Sequence, residues 1–177
     1  MKKITIDDVR NSFRNVPDFP KKGIMFKDIT TALKDPEIFR YMADAIAEMY
    51  VNKGITKVVG IESRGFILGS IIAYKLNAGF VPVRKPGKLP ADTWEVSYSL
   101  EYGEGKVEMH KDAITKDDVV LLHDDLLATG GTALAGIKLI NLCGAKKIYT
   151  NFICELSFLD GRKELEKVSE VTSLFEF

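Results

Sequence analysis

The sequence predicts an α/β fold with a mostly parallel central sheet flanked by helices. Short apolar runs of strand length alternate with segments of helical period, and this alternation is typical of a doubly wound parallel sheet. The chain has 177 residues, of which 46% are hydrophobic. It is therefore long enough to bury one core and is expected to be a single domain, 1–177. Ligands of such folds bind beyond the carboxyl ends of the strands, so segments that follow strands are the first candidates for a site.

The N-terminal segment is expected to hold a helix followed by a loop. Thr5 and Asp8 have the spacing of a capping box, and apolar residues continue at helical spacing until the helix is expected to stop at Pro17. Residues 18–28 carry Pro and Gly without a clear period, which indicates a loop.

Helices and strands alternate in the rest of the chain. Asp35 and Pro36 are an N-cap and a favoured first residue for a second helix, which is expected to end at Gly54. The apolar runs predict strands at 57–61, 80–83, 119–122, 148–154 and 171–177. The helical periods predict further helices at 66–76, 132–143 and 161–168.

One hairpin interrupts this alternation. Residues 94–100 and 106–110 flank the turn sequence Tyr-Gly-Glu-Gly, which predicts two antiparallel strands. An inserted hairpin over a sheet edge often covers a site, so 84–110 is expected to form a flexible lid loop and hairpin.

The charges balance in total but not along the chain. Lys and Arg number 25, as do Asp and Glu, so the formal net charge is zero. Such a composition excludes a disordered chain and disfavours a broad basic surface for nucleic acid. The stretch 63–91 nevertheless contains no acid, and the stretch 117–137 contains no Lys or Arg. Two segments of opposite sign are hidden in the balanced total.

The sequence favours a cytoplasmic protein without a membrane partner. Cys143 and Cys154 cannot build a disulfide framework and are expected to be buried thiols in a reducing compartment. The N-terminus meets acid where a signal peptide needs an apolar run. No apolar stretch approaches the roughly 18 residues that a membrane helix requires.

The segment 119–132 carries the strongest chemical signal. A buried strand is expected to end in Asp124 and Asp125, and a loop of small residues then leads into a helix. Backbone N–H groups at a positive helix end suit a phosphate dianion, and glycines allow its close approach. The two carboxylates suit ribose hydroxyls or a divalent metal. An ordinary turn is the alternative, although two strand carboxylates are costly without a role.

Residues 120–132 resemble the phosphoribosyl diphosphate signature of the type I phosphoribosyltransferases: a hydrophobic run, two acids, then Ala-Thr-Gly-Gly-Thr. Three further stretches, 18–30, 62–66, and 83–90 with 99–103, are similar to the adenine phosphoribosyltransferase family in the same order. The resemblance implies a Rossmann-like fold with a small N-terminal hood region, 1–35, that holds the adenine loop. It implies transfer of a phosphoribosyl group to adenine, with Mg²⁺, in a homodimer.

The resemblance also implies roles for particular residues. Those that would bind the ribose 5-phosphate are Ala128, Thr129, Gly130, Gly131 and Thr132. Those that would bind the diphosphate are Ser63, Arg64, Arg84, Lys85 and Lys88. Asp124 and Asp125 would face the ribose hydroxyls and stabilise the cationic sugar, with Mg²⁺ held near them mainly by the substrate.

The base would be handled by two other segments. Phe26 would stack on adenine, while backbone groups of Met25 and Lys27 would read its amino edge. Glu101, in the hairpin, would manage the purine N7 proton; on sequence alone it is better interpreted as a solvated strand carboxylate.

The chain departs from the family pattern in three positions. Lys22 stands where the family usually has Pro, and Lys27 where it has Arg, so the adenine loop is expected to be positioned differently. His123 replaces an aliphatic residue, and a packed histidine is favoured over a catalytic one.

The resemblance also concerns the backbone: the peptide between Glu62 and Ser63 is often cis in relatives.

Two alternatives stay open at this point. A transferase for hypoxanthine, guanine, xanthine or orotate would share the phosphate segment and read its base elsewhere. A regulator that binds phosphoribosyl diphosphate without catalysis would belong to another class, but such regulators normally add a DNA-binding segment and a basic surface.

Overall fold

The computed structural model describes residues 3–99 and 104–177, and the chain divides into two units, Met1–Ala45 and Ile46–Phe177. The strands are β1 (Arg14–Pro17), β2 (Met25–Asp28), β3 (Lys57–Ile61), β4 (Gly79–Val83), β5 (Thr93–Ser99), β6 (Glu104–His110), β7 (Val119–Leu127), β8 (Lys147–Glu155) and β9 (Glu170–Glu176). The helices are α1 (Ile6–Ser12), α2 (Thr30–Leu33), α3 (Pro36–Glu48), α4 (Gly65–Lys75), α5 (Gly131–Leu142) and α6 (Gly161–Leu165). A short 3-10 helix spans Ser157–Leu159.

The first unit confirms the capping box but corrects the boundary of its helix. The Asp8 carboxylate accepts the Thr5 N–H at 3.0 Å, and Asp8 N–H donates to the Thr5 hydroxyl. α1 stops at Ser12, because the next residues form β1 and pair antiparallel with β2. The expected loop 18–28 therefore contains a strand. A two-stranded ribbon pairs residues distant in sequence, so the period of one segment alone does not reveal it.

The N-cap predicted for the second long helix is confirmed. Asp35 Oδ1 accepts hydrogen bonds from the N–H groups of Glu37 at 2.9 Å and Ile38 at 3.1 Å. These are free donors of the first helical turn of α3, and Pro36 occupies the first helical position, where it has no N–H to satisfy.

The predicted parallel sheet is confirmed in the second unit. Five strands lie in the order β4-β3-β7-β8-β9, and all neighbours pair in parallel. α4 packs on β3 and β7, and α5 packs on β7. Both faces of the central strands are thereby covered, which explains why β3 and β7 are almost continuous runs of buried residues.

β7 is longer than the sequence indicates. The apolar run predicts a strand at 119–122, yet β7 continues through the two aspartates to Leu127. The reason is its neighbour β8, which pairs with it as far as Leu127 opposite Glu155. The acid pair therefore lies inside the strand and not beyond its end.

The predicted hairpin is present, and its described arms are packed. β5 and β6 pair from Thr93 opposite His110 to Ser99 opposite Glu104. Val107 and Met109 are buried in the hydrophobic core, and the hairpin contacts α5. Among the described residues no helix is both long and apolar enough to cross a membrane.

Candidate active site

Two loops meet at the carboxyl edge of the central sheet. The chain proceeds from β3 outward to β4 on one side and from β7 outward to β8 and β9 on the other. β3 and β7 pair in parallel, with Gly60 opposite His123. The segment that follows β3, 62–64, therefore starts beside the two aspartates of β7, and the segment that follows β7, 128–130, starts further along the same edge. A switch point of this kind is where open α/β sheets bind ligands.

The loop between β7 and α5, residues 128–130, is called the phosphate loop below because of its geometry. Gly130 has φ +82° and caps α5, a helix of twelve residues whose first residue is Gly131. A cavity of about 90 Å³ is lined by residues 126–133 together with Asp124 and Phe152. All five residues predicted for the 5-phosphate thus line one cavity at a helix N-terminus, where free N–H groups and the helix dipole favour an anion.

The two aspartates differ in their surroundings. The Asp125 side chain is 2% exposed, and its Oδ2 lies 2.9 Å from Arg64 Nε. Asp124 is half-buried, and its Oδ1 accepts the Asp125 N–H at 2.9 Å. Burial raises the pKa of Asp124 well above its usual range, and the charge of Asp125 adds to this effect. Burial also raises the pKa of Asp125, and Arg64 opposes that rise.

A close backbone contact brings Arg64 to this acid pair. Gly65 begins α4, and a Cβ at this position would lie 2.7 Å from the carbonyl oxygen of His123 and 3.1 Å from Asp124 Oδ1. Only glycine lets the start of α4 approach β7 so closely. Arg64, predicted as a diphosphate ligand, therefore stands beside the predicted ribose-binding acids. The peptide between Glu62 and Ser63 is cis, as the resemblance implies.

Ser63 adjoins Arg64, and the other three predicted diphosphate residues, Arg84, Lys85 and Lys88, form a separate cationic segment after β4. Arg84 donates from Nε to Glu62 Oε2 at 3.3 Å and from Nη1 to the Lys88 carbonyl at 3.2 Å. Glu62 Oε2 also accepts the Lys85 N–H at 2.9 Å. This hydrogen bond and the Arg84 guanidinium hold the pKa of Glu62 below its ordinary value.

Sequence reasoning missed the two acids that organise this cationic segment. Glu62 precedes it, and Glu108 follows it on β6, where Glu108 Oε2 accepts the Gly87 N–H at 3.1 Å. The backbone of Arg84 also pairs with that of Glu108. Glu62 could have been predicted as a site residue, since it adjoins Ser63 and Arg64 of the predicted site. Glu108 had none, because its pairing depends on the fold of the hairpin.

His123 is a packed residue, as predicted. Its side chain is fully buried, and Nδ1 lies 3.0 Å from Asn151 Oδ1. Asn151 Nδ2 donates to the Thr172 hydroxyl at 2.8 Å, which itself pairs with the Tyr50 hydroxyl at 2.6 Å. Burial lowers the pKa of His123 to about 4, so the ring is neutral at physiological pH. A row of polar side chains thus crosses β7, β8 and β9 beneath the acid pair.

The predicted adenine residues lie in the first unit, on β2. Met25 is half exposed, and Phe26 makes an edge-to-face contact with Phe19 at a centroid distance of 5.0 Å. Lys27 Nζ donates to Asn15 Oδ1 at 2.8 Å across the ribbon. Phe19 was not predicted from the sequence. The predicted Glu101 lies outside the described residues.

The described residues hold no cluster of three or more His, Cys, Asp or Glu side chains that would bind a metal by themselves. Asp124 lines the same cavity as the phosphate loop, and Asp125 is its neighbour on β7. Mg²⁺ is commonly held by one or two carboxylates plus substrate phosphates, so the donor set fits a magnesium ion that arrives with its substrate.

Comparison with known proteins defines the class. Residues 30–176 match the phosphoribosyl transferase domain family. A relative from Bacteroides fragilis, an adenine phosphoribosyltransferase, is 58% identical over 90% of each chain. A second, from Geotalea uraniireducens, is 51% identical over 97% of this chain and 100% of its own. The chain belongs to the phosphoribosyltransferase family and, within it, to the adenine phosphoribosyltransferases.

Solved structures agree with this assignment. Adenine phosphoribosyltransferase from Thermoanaerobacter pseudethanolicus has a TM-score of 0.93 at 46% identity and covers 98% of this chain and 100% of its own. The Giardia lamblia enzyme, solved with 9-deazaadenine, has a TM-score of 0.95 at 41% identity and covers 99% of both chains.

Proposed function

We propose that this chain transfers the phosphoribosyl group of phosphoribosyl diphosphate to adenine, which gives AMP and diphosphate in purine salvage. The observation that carries the proposal is the junction of the phosphate loop with the Asp124–Asp125 pair and Arg64 at one sheet edge. Related structures support it: the Saccharomyces cerevisiae enzyme was solved with adenine, and the Trypanosoma brucei enzyme with AMP, pyrophosphate and ribose-5-phosphate.

The 5-phosphate binds at the phosphate loop. Its contacts are backbone N–H groups at the start of α5, joined by the hydroxyls of Thr129 and Thr132. This mode of binding needs no Lys or Arg, which explains how an anion site lies in a stretch without either. The phosphate anchors the substrate and fixes where C1 of the ribose lies relative to the aspartates.

The aspartates act on the sugar. As the bond to diphosphate breaks, positive charge develops on the ribose, and carboxylates positioned beforehand stabilise it. Asp124 and Asp125 bind the ribose hydroxyls, and their negative charge stabilises the positive charge on the sugar. Arg64, 2.9 Å from Asp125, holds that carboxylate in position and presents a cation to the leaving diphosphate.

The diphosphate is received by Ser63, Arg64 and the cations Arg84, Lys85 and Lys88. Lys85 and Lys88 are exposed and free to turn toward a ligand, whereas Arg84 is held between Glu62 and the Lys88 carbonyl. Bound Mg²⁺ would neutralise negative charge on the diphosphate. It would be held mainly by the substrate, near Asp124 and Asp125.

Adenine binds at Met25, Phe26 and Lys27 of β2. Phe26 stacks on the base, and the backbone of Met25 and Lys27 pairs with its amino edge. Because Lys27 already donates to Asn15, its side chain is not required for base recognition. The exchange of Arg for Lys at this position is then tolerated.

The active form is a homodimer in a reducing, cytoplasmic setting. α4 carries Ile67, 38% exposed, and Tyr74, 86% exposed, on the side opposite its buried residues. An apolar helix surface of this kind suits a second copy of the chain. The free thiols of Cys143 and Cys154 fit a reducing compartment. Light scattering coupled to size exclusion tests the dimer.

Turnover with a panel of bases tests the function. The protein is incubated with Mg²⁺, phosphoribosyl diphosphate and, separately, adenine, hypoxanthine, guanine, xanthine and orotate, and nucleotide formation is followed. We expect AMP from adenine alone. Turnover of another base instead of adenine would make the chain a transferase of different specificity. Binding of phosphoribosyl diphosphate without turnover of any base would favour a regulator.

Glu101 is proposed to manage the N7 proton of the base during transfer. A general acid or base typically contributes 10²–10⁴-fold to the rate. Glu101→Gln is therefore expected to lower kcat by about that factor and to leave the KM values within about twofold. The matched control is Glu95→Gln, an exposed hairpin acid paired with Lys106, for which we expect wild-type kinetics. Equal rates for both variants would assign Glu101 to the solvated surface.

A further inference from the structure

A turn far from the signature in sequence packs against the phosphate loop. The turn comprises Asp160, Gly161 and Arg162, between the 3-10 helix and α6. Asp160 has φ +56°, in the left-handed region, and Gly161 is buried. The phosphate loop is proposed to bind the 5-phosphate through its backbone N–H groups. The direction of these groups therefore depends on the residues that pack against the loop.

The contact between turn and loop is backbone against backbone. A Cβ at Gly161 would overlap the carbonyl oxygen of Ala128 and lie 2.9 Å from Thr129 C and 3.0 Å from Gly130 N. In the other direction, a Cβ at Gly130 would lie 2.9 Å from the carbonyl oxygen of Gly161. Neither neighbour is a side chain that could rotate away. The two glycines therefore let the turn lie directly against the loop.

Arg162 fixes the turn to the strands β8 and β9. Its guanidinium pairs with both carboxylate oxygens of Glu155, the last residue of β8, with Nε at 3.0 Å from Oε1. Nη1 donates to the Val171 carbonyl on β9 at 2.9 Å, and Nη2 donates to the Ser173 hydroxyl at 3.3 Å. Bidentate pairs of this type are directional, and Glu155 is 4% exposed. These hydrogen bonds therefore hold the turn in a fixed position relative to the sheet.

We propose that Gly161, held by Arg162, is a positioning residue for the ribose 5-phosphate. Glu155 holds Arg162, and the adjoining Gly161 packs on the phosphate loop. These contacts together set the direction of the loop's N–H groups. This inference rests on the proposed function. It predicts a specific loss of affinity for the phosphate end of the substrate.

The test replaces Gly161 with Ala and measures each substrate separately. In Gly161→Ala the methyl group pushes the phosphate loop away from the turn. The KM for phosphoribosyl diphosphate and the Kd for ribose 5-phosphate, from calorimetry, should both rise by at least about tenfold, because displacements of about 1 Å have effects of this size. The KM for adenine should change by less than about twofold.

A matched glycine controls for loss of stability. Gly144 follows α5 with φ +81°, and a Cβ there would meet nothing within 4 Å. Gly144→Ala is therefore strained but makes no contact, so it should lower the Tm while both substrate constants keep their wild-type values. Equal Kd values for ribose 5-phosphate in Gly161→Ala and wild type would overturn the proposal. So would an equal rise in the Gly144→Ala protein.

A second variant keeps the test independent of how Gly161→Ala folds. Arg162→Met retains the apolar stem and removes the anchor, with Gly161 unchanged. We expect the same selective rise in the Kd for ribose 5-phosphate, and an unchanged Kd would overturn the role of Arg162. Because the wild-type protein is assayed in parallel, production of AMP by wild type together with normal phosphate affinity in the variants would reject this inference and leave the proposed function standing.

Discussion

The phosphate loop and the cationic segment after β4 are two anion-binding regions built on opposite principles. The phosphate loop lies in a stretch without Lys or Arg and offers backbone N–H groups at the start of α5. The cationic segment lies in a stretch without acid and offers the side chains of Arg84, Lys85 and Lys88. Yet its conformation depends on two acids from outside that stretch, Glu62 and Glu108.

The difference concerns how each region is held in place. Backbone donors are fixed by the fold and gain their field from a helix dipole, so the phosphate loop needs only close support. Cationic side chains have several rotatable bonds and are ordered by partners. A carboxylate beside an anion site opposes binding unless a cation pairs with it, and Glu62 forms an ion pair with Arg84 and accepts the Lys85 N–H.

Arg64 links the two regions, and its loss should have the largest effect. Its Nε lies 2.9 Å from Asp125 Oδ2, next to the phosphate loop, although Arg64 belongs to the acid-free stretch. Arg64→Gln removes a cation that faces the leaving diphosphate and leaves Asp125 without its ion pair. We expect kcat/KM to fall by about 10²–10³-fold, the range seen when one preorganised donor is removed.

Steady-state kinetics on Arg64→Gln check this expectation, with Lys75→Gln as the control. Lys75 is an exposed cation of the same stretch, at the end of α4. Its replacement should leave kcat/KM unchanged. If kcat/KM falls by less than threefold in Arg64→Gln, Arg64 does not link the two regions in catalysis and has a structural role alone.

Glu62 should have an intermediate effect, confined to the cationic segment. Glu62→Gln weakens the ion pair with Arg84, and a charged hydrogen bond contributes about 1.5–3 kcal/mol. We expect the KM for phosphoribosyl diphosphate to rise by about tenfold while kcat and the Kd for ribose 5-phosphate stay within about twofold. Glu62→Asp, which keeps the charge, should restore part of the affinity.

The sign of this change is informative. If the KM for phosphoribosyl diphosphate falls in Glu62→Gln, the carboxylate acts mainly by repelling the diphosphate. The ordering role of Glu62 would then be wrong.

The smallest of these effects is a change in stability expected at Asp124, which is separate from the role of this carboxylate at the ribose hydroxyls. Its pKa is raised in the folded state, so ionisation costs folding free energy as the pH rises above the unfolded value of about 3.8. Asp124→Asn removes this cost and keeps an oxygen that accepts the Asp125 N–H. At pH 7 we expect a Tm higher by roughly 2–4 °C for each kcal/mol regained.

The pH dependence of this gain checks its cause. The Tm difference should vanish below about pH 4, where the carboxyl is protonated in both states, and grow as the pH rises through the raised pKa. Asp117→Asn, at an exposed position of the same stretch, is the control for the exchange of a carboxylate for an amide. A lower Tm for Asp124→Asn at pH 7 would contradict the expectation.

The sequence predicted much of this architecture. The parallel sheet, the Asp35 cap, the capping box at Thr5 and the position of the β7–α5 junction all follow from local patterns, because each depends on residues close together in the chain. β1 and the extension of β7 to Leu127 could not be predicted, since both depend on pairing with a distant strand.

The sequence by itself determined the fold class, the family and the types of groups at the site: glycines for a close approach, carboxylates for a sugar, cations for a diphosphate. Only the tertiary structure decided how these groups are held. It paired Arg64 with Asp125, tied Arg84 to Glu62, and set Gly161 against the phosphate loop. Local patterns report which chemistry a segment can offer. The partners that orient it come from distant segments, which only the packing of strands and helices brings together.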